Sequence, residues 1–211
     1  MMKQSRIENL ADGIFAIVMT LLVLEIKVPA IDVTTNADLA MQLYLITPLF
    51  LSYILSFALL YTYWRGHHAT VSSYAKNIDD QLSNYNALFL FLVALVPFTS
   101  HFLGQYSMFR LPVIIFSLHI VAIGLSLLKM RNYIKKSDHI ENADISKYEE
   151  NHANARILVP VFCALVAVFL SYYSIQASLI FLTLGILFNL SRRSTKLMFL
   201  IPKEMGSNIE G

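Results

Sequence analysis

Charge is scarce in this chain. Only 14% of its 211 residues are Asp, Glu, Lys or Arg, against 56% hydrophobic. A soluble globular domain carries about 25% charged residues, and a mean hydropathy of +0.58 points the same way. The composition reads as an all-α, polytopic integral membrane protein. A net charge of +2, with no basic stripe interleaved with aromatics, argues against nucleic acid as a partner. Cysteine is almost missing: Cys163 stands alone inside an apolar run, permits no intrachain disulfide, and reads as a small buried hydrophobe. There is no phosphate-cradling Gly-rich loop, which argues against ATP-driven work within this chain. HEXXH, paired CXXC and Gly-X-Ser-X-Gly patterns are absent as well, so neither an enzyme nor a cofactor is expected. His67 and His68 are adjacent and point in different directions on a helix, a poor geometry for one metal ion.

What the chain does have is long apolar runs. Crossing roughly 30 Å of hydrocarbon takes about 20 helical residues. On that ruler the sequence predicts a single 1–211 domain of six transmembrane helices, near 6–28, 39–65, 82–104, 109–130, 155–172 and 175–191. Pro48 and Pro97 lie within the second and third runs and predict kinks. The fifth and sixth come from one long run divided by the polar SYYSIQAS. A mixed-charge linker is expected at 131–154 and a polar, frayed tail at 200–211. The first run ends at LEIKVP with no small-residue cleavage site, so it is expected to be retained rather than removed as a signal peptide.

Basic residues orient the helices. With the N-terminus inside, fourteen of the sixteen Lys and Arg fall in inner segments, leaving Lys27 and Arg110 outside. Five or seven crossings would scramble that asymmetry. Six crossings with both termini cytoplasmic is the expectation.

The first helix carries polar residues where a membrane span should have few. Its start, RIENLADG, is followed by IFAIVMTLLVLEI. A charge at the bilayer centre costs about 2.5–3.5 kcal/mol on insertion scales, so Arg6 and Asp12 need protein partners. The spacing Arg-x-x-x-Leu-Ala-Asp resembles the Arg-x-x-x-Phe-Ser-Asp hallmark of the prokaryotic branch of the transmembrane protein 175 potassium channels. Leu10 stands for the family's Phe and Ala11 for its Ser, so the serine's hydrogen bond is lost. YTYWRGHH, ending the second run, and NALFLFLVALVPFTSHFLG in the third are similar to the family's segments there.

The resemblance implies a homotetramer of six-helix subunits whose first helices line a central, potassium-permeable pore. Carried across, the constriction falls at Ile17, with further aliphatic rings at Leu21 and Leu24, and a threonine discussed as a selectivity element at Thr20. The residues themselves agree in part: Ile17, Thr20, Leu21 and Leu24 share one helical face. Gly13 sits on that face one turn below, widening the inner mouth. By periodicity alone such a stripe is more simply a packing face against other helices or lipid. As a ring it would form a dry collar about 10 Å long that gates by dewetting.

Asp12 lies about 9 Å along the helix from Arg6. Trp64, His67 and His68, with Asn84 and Asn86, fall at the same membrane level and are the expected partners of a polar network that fixes the helix's rotation. The functional expectation is a potassium-permeable cation channel in a prokaryotic plasma membrane. TVGYG is absent, so its potassium selectivity should be modest, and other monovalent cations are expected partners. Two alternatives remain: a proton-coupled transporter or proton pathway using Asp12 with His67 and His68, and a non-conducting membrane scaffold.

Overall fold

A computed structural model describes residues 4–27, 34–75, 77–137, 140 and 147–190. Half of the first outer loop, the middle of the expected 131–154 linker and the expected 200–211 tail lie outside the described residues. Eight α-helices are present among those described: α1 (Gln4–Leu24), α2 (Asn36–Leu45), α3 (Thr47–Tyr74), α4 (Asp80–Ala94), α5 (Val96–Gln105), α6 (Arg110–Lys136), α7 (Lys147–Leu170) and α8 (Ile175–Leu190).

Proline explains why eight helices stand where six were expected. Pro48 and Pro97 each occupy the second position of a helix, α3 and α5, directly after a break at Ile46 and Leu95. A proline has no N–H to give the carbonyl four residues earlier, and its ring crowds that carbonyl. The expected 39–65 span is therefore α2 and α3, bent by 44°. The expected 82–104 span is α4 and α5, which remain close enough to one axis to count as one crossing over Asp80–Gln105. By length and composition, four helices among the described residues can cross a membrane, or five if the bent α2–α3 pair is one span. The described part of α8 has 16 residues and runs to the edge of the described residues at Leu190.

Two boundaries also differ from expectation. Helix α6 runs on to Lys136 and α7 begins at Lys147, so both ends of the expected linker are helical. The polar turn between the last two helices lies at 171–174, with Tyr173 and Ser174 N–H both donating to the Leu170 carbonyl at 2.9 Å.

Helix α1 packs on α3, α4 and α5; α6 packs on α4, α5 and α7, and α7 and α8 pack together against α3. Between apolar lipid tails and apolar helices there is little hydrophobic driving force, so close packing and hydrogen bonds hold such a bundle. The α3–α5 contact shows both. Ser56 Oγ donates to Ser100 Oγ at 2.8 Å, and Ser100 Oγ donates to the Ser52 carbonyl at 3.2 Å. One turn on, a Cβ at Gly104 would lie 2.5 Å from Ser52 Oγ and 2.9 Å from Leu49 Cα. The missing side chain is what lets the two backbones approach. Gly124 plays the same part between α6 and α7, where a Cβ would meet Val161 Cγ2 at 2.3 Å. The break before Pro97 has its own support from α6. His119 Nε2 donates to the Leu92 carbonyl at 2.9 Å, and Nδ1 accepts from Thr99 Oγ1 at 2.9 Å.

Candidate pore helix and its polar anchor

The two faces of α1 have different fates. Ile7, Ala11, Phe15, Val18 and Leu22 are buried, at steps of three and four residues, against α3, α4 and α5. The opposite stripe runs Arg6, Leu10, Gly13, Ile17, Thr20, Leu21 and Leu24, and all of it is exposed in the single chain. Ile17 is 60% exposed and Leu24 65%. A Cβ placed on Gly13 meets nothing within 4 Å. Of the four unbroken or nearly straight candidate spans, α1 has the smallest buried share, 28%. Thr20 turns its hydroxyl onto its own helix, 2.8 Å from the Ile17 carbonyl and 3.1 Å from that of Ala16.

The start of α1 is tied to the end of α3 by side-chain hydrogen bonds. Trp64 Nε1 donates to Asp12 Oδ1 at 2.8 Å. The Trp64 ring stacks on His68, with centroids 5.9 Å apart. One turn back along α1 and two turns on along α3, Ser72 Oγ donates to Glu8 Oε1, and it also lies 3.2 Å from His68 Nδ1. Gln4 Nε2 completes the row, donating to Glu8 Oε1 at 3.2 Å and to the Val71 carbonyl at 3.1 Å. Charge-assisted bonds of this kind are the stronger class.

His67 belongs to a separate group under the buried face of α1. Its Nε2 donates to Asn86 Oδ1 at 2.7 Å. Its ring stacks almost parallel on Phe89, 5.2 Å between centroids, and tilts against Phe15 at 6.4 Å. The adjacent histidines thus serve different neighbours, as their one-residue offset demands.

The expected seven-residue network is therefore two groups, Asp12–Trp64–His68 and His67–Asn86, with two residues outside both. Arg6 is exposed on the stripe of Ile17, and Asn84 is exposed on α4. Neither has a polar partner among the described residues. Both sit on the wrong side of their helix: Arg6 is one residue from the buried Ile7 and two from Glu8, and Asn84 two from the buried Asn86. Glu8, Gln4 and Ser72 were not singled out from sequence. The signal was spacing, since Glu8 lies one turn before Asp12 and Ser72 one turn after His68. Among the described residues no three His, Cys, Asp or Glu side chains gather as a metal site.

A family model described as "Endosomal/lysosomal potassium channel TMEM175" matches residues 6–97, which contain α1 to α4 and the start of α5. A potassium channel of Streptomyces collinus is 32% identical over 144 residues, covering 66% of this chain and 68% of that protein. The chain belongs to the TMEM175 family. A potassium channel of Chamaesiphon minutus is 41% identical over 101 residues, 48% of this chain, and the match spans about half of that relative, 49% of its length. A crystal structure titled as a lysosomal potassium-selective channel TMEM175 homolog from Chamaesiphon minutus is similar over most of the fold. Its TM-score is 0.76 at 28% identity, covering 90% of this chain and 97% of that one. The TMEM175 likeness in structure thus extends into the helices beyond residue 97, where the family model does not reach.

Proposed function

We propose that this TMEM175 family member is a potassium-permeable channel in which the exposed face of α1, around Ile17, Leu21 and Leu24, closes a central pore. The observation that carries the reading is the two-sidedness of α1. One stripe is spent on α3, α4 and α5, and the opposite stripe is aliphatic and unpartnered in a single chain. One helix cannot enclose a hole, so the reading requires a closed ring of identical subunits. Four copies follow the family resemblance. Six crossings with cytoplasmic termini follow the basic-residue asymmetry, with α2–α3 taken as one bent span and α8 as the sixth. The membrane would be the plasma membrane of a prokaryote.

A collar of Ile17, Leu21 and Leu24 would exclude a continuous water column when narrow and pass cations when dilated. Gly13 leaves space at its inner side. The Asp12–Trp64 bond holds the rotation that keeps the stripe aimed at the axis. Without the TVGYG carbonyl filter, selectivity for potassium over sodium should be modest, and no cofactor is required.

Purified protein in liposomes tests this directly. It should pass potassium with neither ATP nor a second ion gradient, and Ile17→Asn should raise the flux. Flux that saturates, follows a proton gradient and vanishes in Asp12→Asn would establish the proton-coupled alternative instead. That alternative needs a water-accessible relay through the histidines, and His67 lies enclosed between Phe15 and Phe89. A protein that conducts nothing in any variant would be a scaffold.

A further inference from the structure

Arg65 on α3 and Arg156 on α7 lie on packed helices within reach of each other's charge, with no acid paired to either among the described residues. The residues that follow each are in near contact, since a Cβ on Gly66 would lie 3.7 Å from Ile157 Cγ1. Arg156 lies within the field of the Arg65 charge. Both side chains are half-buried. Arg156 Nε is buried and makes no hydrogen bond, and the Arg65 guanidinium lies 5.9 Å from the ring centre of Tyr61 on its own helix. Among the described residues neither guanidinium has a carboxylate partner. Two partly desolvated cations held together in this way repel each other, and the buried N–H loses its water without gaining an acceptor.

Position and surroundings narrow the anion. Arg65 lies in the C-terminal half of α3, the half that the basic-residue asymmetry puts at the inner face. It is next to Trp64, at the level where Asp12 is held. Tyr61, one turn before Arg65 on the same face of α3, is an exposed aromatic side chain at 41%. Cations at headgroup depth with apolar surface alongside match an amphiphile: a phosphate at the rim with hydrocarbon lying below it. The backbone under Arg156 is fixed, because its carbonyl accepts from Asn189 Nδ2 of α8 at 3.0 Å.

We propose that Arg65 and Arg156 form a binding site for the phosphate of an anionic phospholipid, in the leaflet at the N-terminal end of α1. A phosphodiester offers two free oxygens, and each can accept from a planar guanidinium fork. The site stands on the membrane fold and does not depend on conduction.

Full-length protein in detergent provides the test, read by native mass spectrometry of retained lipid and by thermal melting with added phosphatidylglycerol, phosphatidylcholine or inorganic phosphate. The wild type should retain and be stabilised by phosphatidylglycerol in preference to phosphatidylcholine, with inorganic phosphate giving no stabilisation at the same concentration. In R65Q/R156Q the retention of phosphatidylglycerol should fall roughly thirtyfold, the worth of two interfacial basic residues. R65K/R156K, which keeps charge but not the fork, should fall between. Equal retention in wild type and R65Q/R156Q would overturn the proposal. So would a wild type with no preference for phosphatidylglycerol, a reading that needs no variant to fold. Stabilisation by inorganic phosphate equal to that by the lipid would assign the site to a soluble anion and overturn the lipid.

Discussion

Trp64 Nε1 donates a 2.8 Å hydrogen bond to Asp12 Oδ1, joining residues 52 positions apart on two antiparallel helices. Among the described residues two further side-chain bonds join these helices at that end, Ser72 to Glu8 and Gln4 to the Val71 carbonyl. A helix whose buried stripe consists of Ile7, Ala11, Phe15, Val18 and Leu22 could slide or roll on apolar neighbours. Directional bonds at one end resist both motions. We expect Trp64→Phe, which keeps the ring and removes the donor, to lower stability by about 1–2 kcal/mol. Thermal melting in detergent reads this. A variant as stable as the wild type would show that the bond contributes nothing to holding α1.

The two faces of α1 should respond in opposite ways to truncation. Ile17→Ala should increase potassium flux into liposomes severalfold and leave the melting temperature nearly unchanged. Val18→Ala, one residue on and buried, should cost about 1–2 kcal/mol of stability and leave flux per folded protein unchanged. If the two phenotypes are exchanged, the face of α1 has been assigned backwards.

The α3–α5 contact depends on the absence of a side chain. Gly104→Ala places a carbon 2.9 Å from Leu49 Cα, which is backbone and cannot rotate away. Overpacking of this kind costs about 1–3 kcal/mol. Shortening Ser52 to Gly in the same chain should recover only part of the loss, because the Leu49 clash remains. Melting curves of the single and double variants decide this.

His119 supports the break at Leu95 by serving the Leu92 carbonyl and the Thr99 hydroxyl at once. His119→Phe fills the space without either bond and leaves the Leu92 carbonyl with the 3.1 Å bond from Leu95 N–H alone. The expected loss is about 1–3 kcal/mol. His119→Gln, which has both a donor and an acceptor, should recover part of it. Equal stability of the phenylalanine variant and the wild type would mean that the break needs no support from α6.

Much of the candidate site was legible because it repeats along one helix. The stripe through Gly13, Ile17, Leu21 and Leu24 is visible in the spacing, and so is the fact that Asp12 needs a partner. Which partner was less so. Trp64, His68 and Asn86 do join polar groups, but Asn84 and Arg6 do not, because a step of one or two residues rotates a helical side chain to another face. The same rule separates His67 from His68. The breaks at Ile46 and Leu95 could be anticipated from Pro48 and Pro97, but their sizes could not. One pair bends by 44° while the other bends less and forms one span over Asp80–Gln105. Neighbouring groups such as His119 come from elsewhere in the chain and carry no local signal.

The amino-acid sequence by itself determined that this is an apolar helical protein, where its long runs lie, and that its first helix carries charge in need of satisfaction. Those properties follow from composition and from the 3.6-residue period, both of which are local. Only the tertiary structure decided which stripe of α1 is covered, which acid meets Trp64, and that two arginines 91 positions apart come to share a surface. Such pairings depend on how whole helices rotate and pack against one another. That is settled by close contacts such as those at Gly104 and Gly124, where the lack of a single methyl group lets two backbones meet.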